Sequence, residues 1–169
     1  MKTRPPLQLV TDPAAVLHHH SEPVKVFDGG LRRLVDEMFE RCVEWHGVGL
    51  AAPQVGLNLQ LAVVVYEGHR FAIANPQRIS QAGEVDAQEG CLSLPGQAGL
   101  VRRFEAVRVR YRNLHGKGVV RDFDGWLARI VQHESDHLQG TLCSQRLAPG
   151  ATFDLVPEED EEDEEDLAE

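Results

Sequence analysis

The residue types best suited to chemistry sit together in Gln132-His133-Glu134-Ser135-Asp136-His137-Leu138. Two histidines four positions apart lie on one face of a helix, about a turn from each other, so both imidazoles can close on a single divalent ion. The glutamate beside the first can handle the proton of a water held by that ion. A bare H-E-x-x-H leaves such an ion short of a third protein ligand, and the chain offers three kinds of candidate. A downstream histidine or glutamate would make a metalloprotease of the zincin type, but no histidine follows His137, and the acids beyond it are Asp154 and a terminal run. His46, His69 and His115 fall at a helix end and in turns. Cys91 stands in Glu89-Gly90-Cys91-Leu92-Ser93-Leu94-Pro95-Gly96, a stretch that reads as a loop able to present a thiolate. One thiolate with two imidazoles suits iron(II), zinc, nickel or cobalt, which favours Cys91.

These side chains need a scaffold, and 169 residues suffice for one domain with a real core. The formal net charge of -10 misleads, because ten of the 27 acids lie from Glu158 onward, leaving 17 against 17 Lys and Arg in the body. The chain therefore divides into a near-neutral domain, residues 1–150, and an acidic C-terminal tail, residues 151–169, whose self-repelling composition predicts disorder from Pro157. Such a tail repels RNA, so no direct nucleic-acid binding is expected. Three cysteines without dense spacing point to a reducing compartment rather than a disulfide framework. No apolar run reaches the ~20 residues that a bilayer requires. The N-terminus lacks an apolar h-region, so the expected location is cytoplasmic.

Asp28 to His46 reads as an amphipathic helix capped by Asp28 and stopped at Gly47, with Leu31, Leu34, Val35, Met38, Phe39 and Cys42 on its apolar stripe. Cys42 is thereby a core residue. Gly47-Val48-Gly49-Leu50-Ala51-Ala52-Pro53-Gln54 follows, small enough for backbone to approach something closely. Its spacing is not that of a dinucleotide-binding loop. Leu59–Tyr66 and Phe71–Asn75 predict a hairpin turning through Glu67-Gly68-His69-Arg70, with Pro76 ending the second strand or placing it at an edge. Arg78 to Gln88 is a candidate further strand. Ala106–Arg112 alternates, with Arg108, Arg110 and Arg112 as a solvated face, and Val119–Phe123 returns. Asp122 or Asp124 can cap the helix from Gly125 to Gln139, which ends at Gly140. His18-His19-His20 reads as a solvated loop.

With three motifs in order, Gly47 to Gln54, Glu89 to Ser93 and Gln132 to Leu138, the sequence closely resembles a peptide deformylase over residues 7 to 147. The resemblance implies an α+β fold, with small antiparallel sheets packed around a central C-terminal helix that bears the histidines, and an N-terminal amphipathic helix. It implies that Cys91, His133 and His137 hold one divalent metal, physiologically Fe2+, with Zn2+, Ni2+ or Co2+ as substitutes. Glu134 would be general acid/base, while the Gln54 amide and the Leu92 backbone N–H stabilise an oxyanion. Gly49 would bond the substrate backbone, and Val48, Ile130 and the His133 ring would line a methionine pocket. The implied reaction, through a metal-bound hydroxide, removes the N-formyl group from the N-terminal methionine of newly made polypeptides and releases formate. The implied partners are N-formylmethionyl nascent peptides, met transiently at the ribosome by a monomer, with no membrane.

Two other readings compete. A hydrolase of the same build could act on another small N-acyl group, and pocket shape would separate it from the first. A binding module without turnover would be expected to lack Glu134 or Gln54, and both are present. Asp136 is placed either to orient a metal ligand or to serve structure alone. The family often carries Pro-Asp-Pro-x-Leu-Arg near the N-terminus, where this chain has Thr11-Asp12-Pro13-Ala14-Ala15-Val16-Leu17-His18.

Overall fold

The computed structural model describes residues 4–157, so the acidic run from Glu158 lies outside the described residues. Among the described residues, two α-helices and eight strands form an α+β fold. Helix α1 is Gly29–Glu44 and helix α2 is Gly125–Leu138. Strands β1 (Gly49–Ala51), β2 (Leu61–Tyr66), β3 (His69–Ala82), β6 (Ala106–Arg112) and β7 (Gly118–Asp124) make one antiparallel sheet in the order β1-β2-β3-β6-β7. Strands β4 (Val85–Cys91), β5 (Leu94–Arg103) and β8 (Phe153–Leu155) make a second, in the order β4-β5-β8.

The run Leu61-Ala62-Val63-Val64-Val65 is apolar throughout because β2 is covered on both sides. Leu61 and Val63 pack with Ala72 and Ala74 against the Leu31, Val35, Met38, Phe39 and Cys42 stripe of α1. Ala62 and Val64 point the other way and pack with Ile73 against Ala128, Ile130, Val131 and Leu138 of α2. Side chains that alternate along a strand thus serve two cores, one for each helix. The α2 core is completed by Val107, Val109 and Tyr111, while Arg108, Arg110 and Arg112 face outward. No helix among the described residues is long and apolar enough to cross a membrane.

Several boundaries differ from the expectation for local reasons. Asp28 caps α1 by accepting from Leu31 N at 3.0 Å, but the helix stops at Glu44. The left-handed residue after it is His46 (φ 57°), and Gly47 N bonds back to Cys42 O at 2.8 Å. The β2–β3 hairpin turns on Glu67 and Gly68 alone, both with positive φ, which is the tight turn that suits strand twist. Pro76 does not end β3. The strand bulges between Ala74 and Gln77, just where pairing with β2 has run out, so the missing N–H of proline costs no ladder bond on that side. Asn75, left-handed at φ 52°, fills the bulge and exchanges two bonds with the Val24 backbone. The expected strand 78–88 is the end of β3, a turn at Gly83, and the start of β4. Asp124 stands at the N-cap of α2 without a side-chain bond, and Asp122 is instead paired with Arg108 at 2.7 Å. Residues 153–155, assigned to the tail by composition, pair with β5 at Gln97–Gly99.

The N-terminal arm joins distant parts. Val10 N donates to Gln54 O at 2.7 Å, Val10 O accepts from Ser93 Oγ at 2.7 Å, and Asp12 N donates to Ser93 O at 2.9 Å.

Candidate metal centre

Three elements bring the site together. Helix α2 supplies His133, Glu134 and His137. The end of β4 supplies Cys91, which is the last residue of a strand rather than part of a loop, with a tight turn behind it at Leu92 and Ser93. The segment after α1 supplies Gly49 on β1 and Gln54 in the short helical turn Ala52–Val55. Gly140 (φ 74°) ends α2 as expected, and a Cβ there would meet the His18 backbone at 2.7 Å.

A sulfur and two ring nitrogens converge. One ligand atom each from Cys91, His133 and His137 lies within 4.8 Å of the others. Cys91 Sγ is 3.4 Å from His137 Nε2, and the two Nε2 atoms are 3.2 Å apart. His133 Nδ1 is 2.7 Å from Glu89 Oε1, a pairing that keeps a proton on Nδ1 and leaves the lone pair on Nε2 facing His137. Burial holds His137 well below the usual histidine range, so its ring stays neutral. A hydrogen bond to Cys143, and then burial, push the Cys91 thiol up. A soft divalent ion would bind the deprotonated thiolate and release that proton. Thiolate plus two neutral imidazoles is a donor set that fits zinc or iron(II).

Glu134 is buried with Oε2 unpartnered, and burial pushes its carboxyl up to about 7. That value suits a group that must both take and give a proton near neutral pH. Gln54 is held in one orientation: Oε1 accepts from Ala51 N at 2.9 Å, so Nε2 is turned to Ser93 Oγ at 3.3 Å and Cys91 Sγ at 3.6 Å. An N–H donor thereby stands beside the sulfur.

A cavity of about 610 Å³ opens onto these groups. Its lining includes Val48, Gly49, Gln54, Cys91, Leu92, Ile130, His133 and Glu134, while His137, which converges with Cys91 and His133, is not part of the lining. Val48 is exposed and Ile130 buried. Trp126, on the same face of α2 as the histidines, and Trp45 also border the cavity. At Gly49 a Cβ would fall 2.5 Å from Glu134 Oε1, so Gly49→Ala must displace that carboxylate. The expected result is a fold retained by circular dichroism with activity reduced by about 10²-fold, the typical cost of a catalytic group shifted by ~1 Å.

Sequence reasoning passed over the support beneath the ligands. Glu89 receives Arg103 through two bonds at 2.8 and 2.9 Å, and Arg129 bonds it too. All three are buried. Burial would raise the Glu89 carboxyl, but His133 and Arg103 hold it well below the usual range. Asp136 does not touch a ligand: it bonds Arg103 Nη1 at 2.7 Å and Arg146. The carboxylate that orients His133 is therefore Glu89. Periodicity carried the signal, because Arg103 shares a strand face with Val101 and Arg129 lies one turn before His133. Arg102, the neighbour of Arg103, instead pairs with Asp86 at the surface.

Comparison with known proteins places the chain in a family. The family model described as polypeptide deformylase matches residues 6–152. Peptide deformylase 1 of Bacillus subtilis is 43% identical over 150 residues, covering 87% of this chain and 93% of its own. The crystal structure of peptide deformylase from Thermus thermophilus superposes with a TM-score of 0.79 at 43% identity, covering 85% of each chain. A peptide deformylase from Synechococcus elongatus, solved in complex with actinonin, gives 0.83 at 38% identity over 87% of this chain and 83% of that one. With a site of one cysteine and two histidines on this fold, the chain belongs to the polypeptide deformylase family.

Proposed function

We propose that this enzyme hydrolyses the N-formyl amide of formyl-methionyl peptides from newly made polypeptides, releasing formate and a free amino terminus. The observation that carries the reading is the convergence of Cys91, His133 and His137 beside a cavity that also receives Glu134 and Gln54. These three residues would hold the divalent ion, iron(II) by resemblance, with zinc, nickel or cobalt as substitutes. When bound, such an ion supplies Lewis acidity, which brings the pKa of a coordinated water down to about 7.

The rest is done by the chain. Glu134 accepts the proton of the attacking water and returns it to the departing amine nitrogen, so one carboxyl serves both halves of the hydrolysis. Gln54 Nε2 and the Leu92 N–H meet the charge that grows on the formyl oxygen. β1 is an edge strand, so an extended peptide can add to it, with Gly49 bonding its backbone. Val48, Ile130 and the His133 ring flank the methionine side chain.

Gln54→Ala is expected to lower kcat by about 10²–10³ while metal content stays the same, which a formate-release assay and metal analysis would check together. The reading itself is tested by anaerobic purification, metal analysis, and assay on formyl-Met and acetyl-Met peptides. One ion per chain and formate release abolished by a chelator are expected. Turnover that survives complete metal removal would overturn it. Equal turnover of the acetyl peptide would favour the hydrolase of other N-acyl groups.

A further inference from the structure

Cys91 is not the only thiol at the centre. Cys143 begins the short helical turn Cys143–Gln145 after α2 and is buried. It belongs to a small apolar cluster with Leu17, Leu94, Val101 and Leu142, against which Cys91 packs. Its Sγ lies within 4.8 Å of a ring nitrogen of His133, as does Cys91 Sγ, so both sulfurs adjoin one imidazole. All three cysteines are free, and the third, Cys42, belongs to the α1 core. Hydrolysis has no use for Cys143. Cys91 borders the cavity while Cys143 does not, so a small oxidant entering from solvent reaches Cys91 first.

We propose that Cys91 and Cys143 are an oxidisable pair: a peroxide that attacks Cys91 is answered by a Cys91–Cys143 disulfide, which withdraws one metal ligand reversibly. This rests on the reading of Cys91 as a ligand. In the first step the Cys91 sulfur attacks one oxygen of hydrogen peroxide. An S–O bond forms, the O–O bond breaks, and hydroxide leaves and is protonated to water. The sulfur, now a sulfenic acid, has lost two electrons to the peroxide. In the second step the Cys143 sulfur attacks that sulfur. The S–S bond forms, the S–O bond breaks, and the departing hydroxide takes the Cys143 proton as a second water. Two electrons from a thiol reductant restore both thiols. Without a partner sulfur, a sulfenic acid continues to sulfinic and sulfonic acids, which thiols do not reverse.

The test uses zinc-loaded protein, so that iron–peroxide chemistry does not intrude, with a small excess of hydrogen peroxide. Intact mass should fall by two hydrogens, and peptide mapping should find one cross-link, Cys91 to Cys143. Zinc should be released in step, and dithiothreitol should restore both zinc binding and formate release. In Cys143→Ser and Cys143→Ala, Cys91 should instead gain two or three oxygens, with recovery by dithiothreitol reduced about tenfold. Cys42→Ala should cross-link as the parent does. Oxygen addition at Cys91 of the parent without a cross-link, or equal recovery in the Cys143 variants, would overturn the proposal. A cross-link that forms with zinc fully retained would sink the ligand reading of Cys91 and leave the thiol pairing standing.

Discussion

Glu134→Ala is expected to keep its metal and lose about 10²–10⁴ in kcat/KM, the range that general acid–base catalysis contributes. The separation of the two effects is the informative part. Glu134 is not among the converging ligand atoms, so deleting its carboxyl leaves Cys91, His133 and His137 in place. What disappears is the group that takes the water's proton and returns it to the amine. Its unpartnered Oε2 also means that no protein hydrogen bond is broken there. Metal analysis on the same preparation as the formate assay checks both halves. Near-parental turnover would overturn the assigned role, and loss of the ion would show that Glu134 belongs to the ligand set.

Glu89→Ala is expected to do a different kind of damage. It leaves Arg103 and Arg129 buried without their shared carboxylate, and breaking a buried ion pair from one side typically costs about 3–5 kcal/mol. For a domain of this size that corresponds to a fall in Tm of roughly 10 °C. The same change removes the acceptor on His133 Nδ1 and should weaken metal affinity by about 10–100-fold. Thermal melts of the apo and metal-loaded variant separate the two losses. Metal gives the variant less extra stability than the parent if the His133 contact matters, and the same increment if Glu89 serves the arginines alone. Asp136→Ala should be milder, because Arg103 would still hold Glu89 through two bonds.

How far the sequence reaches depends on whether a signal is local. The histidines were legible because helical spacing fixes their common face, and β6 because strict alternation fixes a strand. The β2–β3 hairpin was legible, but its turn was placed two residues too long, because nothing in Glu67-Gly68-His69-Arg70 says that glutamate will accept positive φ. Pro76 misled for a similar reason. A proline ends a strand only where its nitrogen faces a partner, and which side is free depends on where β2 stops. Donor chemistry favoured Cys91 and the family pattern pointed to it as well, yet its place at a strand end comes from β4–β5 pairing, which a Gly- and Pro-containing stretch conceals. The meeting of Glu89, Arg103 and Arg129 was the least legible feature. Charged residues read as surface unless several of them, distant in the chain, are known to meet.

The N-terminal arm has a consequence of its own. The Val10 backbone is stitched to Gln54, which lines the cavity, and to Ser93, two residues beyond Cys91, so the spacing of these two segments depends on an arm with no chemistry in it. Trimming the chain from its front past this point would strip away that brace, and Gln54 and Cys91 would drift apart although neither had been touched.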